Sequence, residues 1–160
     1  MKMVGRNSLI LIAIILMLIF AVGCEQEKGV LKIAIYPEGT TRESYLLILY
    51  NSRELEGILG TRKNDKFDSV KDIKDVKKRE KILLAEEEFG EIVTLAKVIV
   101  QNYQSENTEN FTDSWSIRII YGEQIYEISY SDRLCPNEVK LLVEKIQSKS
   151  PIEIDIHGWA

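Results

Sequence analysis

The chain has 160 residues, with 21 basic and 25 acidic side chains, a formal net charge of −4, one histidine and two cysteines. The acidic balance excludes a general nucleic-acid binder, which carries a basic excess. The length suits one domain with a modest core rather than two.

The first element is an uncharged apolar run, residues 8–24, that follows Lys2 and Arg6 and stops at Cys24. A positive start, a short apolar stretch and small residues before a cut site make an export signal. A helix over Leu9 to Val22 would reach about 21 Å against roughly 30 Å of bilayer hydrocarbon, short for a span. The segment Phe20-Ala21-Val22-Gly23-Cys24 resembles the lipobox of bacterial lipoproteins, with Ala21 standing where leucine is commoner. The resemblance covers residues 1–24. It implies that the Cys24 sulfur takes a diacylglyceryl group, that a peptidase cuts between Gly23 and Cys24, and that a further acyl chain can be added to the freed amine. Small side chains at Ala21 and Gly23 suit a backbone that must enter enzyme clefts. Each buried methylene contributes about 0.8 kcal/mol and one chain alone is marginal, so two or three chains meet the requirement for stable anchoring. The expected address is the extracytoplasmic face of the cell membrane. The alternatives are an ordinary secretory signal, or an uncleaved anchor in which Cys24 is incidental.

Removing the signal at 1–23 takes away Lys2 and Arg6 and leaves 137 residues with 19 basic and 25 acidic side chains, a formal charge of −6. Residues 24–29 then form a lipidated tether and 30–160 a single domain. Lipidation of Cys24 leaves Cys135 as the one thiol, so no disulfide closes within a chain and the fold must hold by packing.

Val30 to Tyr36 alternates and favours β-branched residues, which predicts a strand ended by Pro37-Glu38-Gly39. Ser44 to Tyr50 predicts a second and Glu54 to Leu59 a third, with Asn51-Ser52 as the turn. Leu46, Leu47, Ile48 and Leu49 are all apolar, as in a strand covered on both faces. Arg62 to Lys81 carries nine basic and five acidic side chains. Phe67, Val70, Ile73 and Val76 recur every third residue there, which predicts a helical face with Ser69 as cap. Within it, Lys77, Lys78, Arg79 and Lys81 can contact anionic headgroups, each basic residue near the surface contributing about 1 kcal/mol. The plain alternative is a solvated face.

Glu86-Glu87-Glu88 suits the positive end of a helix dipole. Phe89, Ile92, Val93, Ala96, Ile99, Val100 and Tyr103 then form one stripe, predicting a helix to about Tyr103 that lies across a sheet. Residues 104–114 are polar and turn-like, and Asn110-Phe111-Thr112 matches the N-glycosylation triplet, a match the resemblance to bacterial lipoproteins implies is coincidence. Trp115 to Tyr121 and Gln124 to Tyr130 flank Gly122-Glu123, a two-residue loop suited to a type II′ turn. That register pairs Ile119 with Tyr126, Ile117 with Ile128 and Trp115 with Tyr130 on one face, and Arg118 with Glu127 on the other. A helix of about twelve residues should open at Cys135-Pro136, with proline at the first helical position and Val139, Leu142, Val143 and Ile146 buried. Ile152, Ile154 and Ile156 alternate with Glu153 and Asp155, predicting a closing strand, and Trp159 is placed to plug the core.

Chemistry is sparsely supplied. Cys135 at a helix start has its thiolate favoured by the dipole, and His157 is the only histidine that could pair with it, but no spacing brings the two together. One histidine and one free thiol cannot make a zinc site of the usual kind. The acids at Glu86 to Glu91, Asp72 and Asp75 lack calcium-loop spacing. Neither a glycine-rich phosphate loop nor a Gly-x-Ser-x-Gly turn occurs, so no cofactor is expected. The aromatic stripe of Trp115, Tyr121, Tyr126 and Tyr130 is either a binding platform or, as a large apolar face in a soluble domain more often is, the floor under a helix.

The order of elements predicts an α+β domain, a mainly antiparallel sheet with two helices packed on one face. The expected function is a non-catalytic, lipid-anchored domain that binds an envelope protein or a cell-wall component. The alternative is a small envelope enzyme using Cys135 or a carboxylate pair.

Overall fold

The computed structural model describes residues 29–38, 43–64, 67–103, 115–130 and 135–156. The expectations at Gly23, Cys24, Asn110, His157 and Trp159 lie outside those residues. The elements in chain order are β1 (Leu31–Pro37), β2 (Glu43–Leu49), β3 (Glu54–Arg62), β4 (Ile73–Leu83), α1 (Glu86–Asn102), β5 (Trp115–Tyr121), β6 (Gln124–Tyr130) and α2 (Asn137–Lys149). All six strands join one antiparallel sheet in the order β4-β3-β2-β1-β5-β6. The fold is α+β, with both helices on one face.

Alternation along the central strands divides their side chains between two apolar layers. Leu31, Ile33 and Ile35 of β1, with Tyr45, Leu47 and Leu49 of β2, join the main core under the helices. There they meet Ile92, Ala96 and Ile99 of α1 and Val139, Leu142, Val143 and Ile146 of α2. The opposite residues, Ala34, Tyr36, Leu46, Ile48 and Ile58, form a second core on the other face. The β3–β4 connection covers it, chiefly through the fully buried Phe67. This explains the unbroken apolar run of β2, which is third in the sheet and covered on both sides.

The β5–β6 hairpin has the predicted register, including Ile119 with Tyr126, Ile117 with Ile128 and Arg118 with Glu127. Gly122 has φ +61° and Glu123 has no positive φ, the combination of a II′ rather than a I′ turn. The β2–β3 turn runs one residue further than Asn51-Ser52. Arg53 takes φ +69°, and its N–H donates to the Tyr50 carbonyl at 3.0 Å.

Two predicted elements are corrected. Residues 62–81 form no α-helix: Ser69 precedes a single 3₁₀ turn, Val70–Asp72, and β4 follows at once. A period of three fits one 3₁₀ turn, and Phe67, Val70 and Ile73 do share the second core, while Val76 is half exposed. From Lys74 to Lys81 no side chain is buried, because β4 is an edge strand held by its backbone ladder to β3. Its charged side chains deter a further strand from joining that edge. The second correction concerns Ile152, Ile154 and Ile156, which form no strand. The segment instead crosses the helix side of the sheet as an extended strap. Ile152 packs where a Cβ on Gly57 would stand, and the Tyr45 hydroxyl donates to the Asp155 carbonyl and accepts from the Asp155 N–H, both at 3.2 Å. A smaller difference is that Pro136 is the N-cap of α2, one position before the helix proper.

Candidate functional site

Lys77, Lys78, Arg79 and Lys81 lie together on β4, but the strand sends them to different faces. Register places Arg79 opposite Ile58 and Lys81 opposite Glu56, on the face of the second core. Lys78 stands opposite Leu59, on the helix side. The ladder slips between Leu59 and Gly60, leaving Lys77 as the extra residue of a bulge. Lys77 reaches Glu43, whose side is that of Tyr45 and Leu47. Each of the four has a carboxylate partner: Lys77 with Glu43, Lys78 with Glu80 at 3.3 Å, Arg79 with Glu56 at 2.6 Å and Lys81 with Glu54 at 3.6 Å. The basic run is thus largely neutralised by its neighbours, with each of its side chains still roughly half exposed.

The second face carries two polar networks. In the first, Glu56, almost fully buried, accepts from Arg79 Nε at 2.6 Å and from the Tyr50 hydroxyl at 2.5 Å. Burial opposes its ionisation, but the Arg79 and Tyr50 hydrogen bonds and the Arg79 and Lys81 charges outweigh it and hold its pKa below the usual carboxylate value. Burial, then the Glu56 hydrogen bond, raises the Tyr50 pKa, and the Lys81 ammonium sits 4.7 Å from the Tyr50 ring centroid.

In the second network the Tyr36 hydroxyl donates to Glu127 Oε1, and Arg118 Nη1 donates to Glu127 Oε2 at 3.2 Å. Arg118 also lies 3.9 Å from Asp68, while its Nε is buried and unpaired. Burial, then the Glu127 hydrogen bond, pushes the Tyr36 pKa up. The buried Arg62 guanidinium covers the Tyr36 ring at 4.7 Å and donates from Nη2 to the Pro37 carbonyl at 3.0 Å. The hairpin pairing of Arg118 with Glu127 was legible in the sequence. Tyr36, Arg62 and Asp68 were not, because they are brought there by β1, β3 and the β3–β4 connection. Apart from Arg118 Nε these groups engage one another, which suits them to orienting the strands and the Phe67 loop.

Cys135 is buried just before α2 and is in no disulfide. Of the aromatic stripe, Tyr126 is buried and Trp115 and Tyr121 are half-buried against the main core. The Tyr126 ring lies 6.1 Å from that of Tyr103, the residue that caps the C-terminus of α1, and the Trp115 ring 6.2 Å from that of Tyr45. This part of the stripe is floor beneath the helices. Among the described residues no group of three His, Cys, Asp or Glu side chains is placed to hold a metal ion, and no helix is long and apolar enough to cross a membrane.

An open cleft of about 720 Å³ lies at the end of the sheet where β1 begins, lined by Gly29, Val30, Lys32, Asn51, Tyr121 and Glu123 among others. A shallower groove between the helices, about 500 Å³, runs past Gly90, Leu95, Leu141 and Lys145. Compared with protein-family models and with curated protein sequences, the chain matches none.

Proposed function

We propose that this chain is a membrane-anchored extracytoplasmic lipoprotein whose folded domain is a non-catalytic binding or interaction module. The observation that carries the anchoring is the run of residues 8–24 closing on Gly23-Cys24 behind Lys2 and Arg6. The partner is an envelope protein or a cell-wall component. Support for binding over thiol chemistry comes from the burial of Cys135 and from the Glu56 and Glu127 networks, whose carboxylates are engaged by arginine and tyrosine donors. The test is Cys24→Ser in a bacterial host fed a labelled fatty acid. The parent chain takes up label, loses residues 1–23 and sediments with membranes; the variant does none of these. Unchanged processing and sedimentation in Cys24→Ser would sink the anchoring.

A further inference from the structure

The structure places an amphipathic surface directly beside the point where the tether enters the fold. At the Leu31 end of the sheet, Lys32 is on the second face with Ala34 and Tyr36. Its cross-strand neighbours are Ile48 and Ile120, and Ile120 in turn pairs with Ile125, which is 47% exposed. On the other flank, Lys81 and Leu83 stand opposite Glu56 and Glu54 on the same face. Leu83 is 63% exposed, more than the other exposed large apolar side chains among the described residues. Tyr50 lies between the flanks with Lys81 over its ring, the kind of amphipathic aromatic that favours a headgroup layer. Lys32, Arg79 and Lys81 stand here against Glu54, Glu56 and Glu123, the last lining one cleft with Lys32, so this surface is charge-balanced on a chain whose part after residue 23 is acidic overall.

We infer that this end of the second face, through Lys32, Tyr50, Arg79, Lys81, Leu83 and Ile125, rests on anionic lipid headgroups. The inference depends on the anchoring of Cys24 proposed above. Four residues, Glu25 to Lys28, lie between Cys24 and Gly29, and the five extended steps from one to the other span at most about 18 Å. An anchored domain is therefore held with its Leu31 end within reach of the headgroups. Helix α1 on the opposite face offers acid instead, with Glu86, Glu87, Glu88 and Glu91 against Lys97. The surface also divides the basic cluster of β4: Arg79 and Lys81 face lipid, whereas Lys77 and Lys78 point to the helix side.

The test is acetylation of lysines, read by mass spectrometry, on the lipidated protein in vesicles of phosphatidylcholine with phosphatidylglycerol and again in detergent. On the vesicles Lys32 and Lys81 react at least about threefold more slowly, high salt restores them, and Lys77, Lys78 and Lys97 keep their detergent rates. Lys32→Glu relieves the protection of Lys81 while the protein stays on the vesicles. Equal rates at both sets of lysines, or protection of Lys77 and Lys78 instead, on a protein whose Cys24 carries lipid by mass, overturns this orientation and leaves the anchor standing. A mature Cys24 without lipid overturns both together.

Discussion

Arg79 and Glu56 meet diagonally across β3 and β4, the guanidinium Nε 2.6 Å from a carboxylate that is itself almost fully buried. Burying a carboxylate is costly unless its oxygens are satisfied, and here Arg79 takes one oxygen and Tyr50 the other. The pair also ties the edge strand to the sheet by a side-chain contact on a strand with few apolar ones.

Arg79→Met should therefore destabilise the fold by about 1–2 kcal/mol, less than a fully buried pair because the Arg79 side chain is 47% exposed. The Glu56 pKa lies below its ordinary value. Its stabilisation is thus complete above the unfolded value of about 4.3 and disappears as pH falls through the folded one. Urea unfolding from pH 7 to pH 3 should show stability falling below about pH 4, with a shallower fall in Arg79→Met. Parallel curves for the two proteins would count against the coupling.

At alkaline pH the sign reverses. Tyr36 and Tyr50 have pKa values raised by burial and then by their carboxylate partners. Their contribution is whole below about pH 10, the unfolded value, and is lost as pH climbs through the folded ones. Spectrophotometric titration should leave at least two of the seven tyrosines un-ionised until the protein unfolds. Tyr36→Phe should remove one of them at a cost of about 1 kcal/mol near neutral pH.

Two glycines give opposite expectations. A Cβ on Gly60 would stand 2.5 Å from both the Asp75 carbonyl oxygen and Ile73 Cγ2, beside the β3–β4 bulge. The backbone oxygen cannot swing away, so Gly60→Ala should cost about 2–3 kcal/mol. Gly90, exposed in α1, has nothing within 4 Å of its would-be Cβ. Gly90→Ala should stabilise by about 0.5–1 kcal/mol through helix propensity. Denaturant midpoints moving the same way in both variants would contradict this reading.

Residue order alone determined α1, α2 and the β5–β6 hairpin, since each buries one face against a single neighbouring layer and so prints a clear period on the sequence. The stripe from Phe89 to Val100 and the pairing of Arg118 with Glu127 needed no tertiary knowledge. Tertiary structure decided β4, whose residues 74–81 are exposed and carry no period to read, and whose strand conformation comes from the free ladder of β3. It also decided the strap at Ile152–Ile156, where alternation suits a strand but the segment lies over the sheet face at Gly57 and Tyr45 instead of beside a strand. The candidate surface divides in the same way: the proposed anchor at Cys24 rests on sequence pattern alone. The meeting of Lys32, Tyr50, Lys81 and Leu83 was not legible there, because they lie on three strands and their turns, and only sheet register sets them on one face.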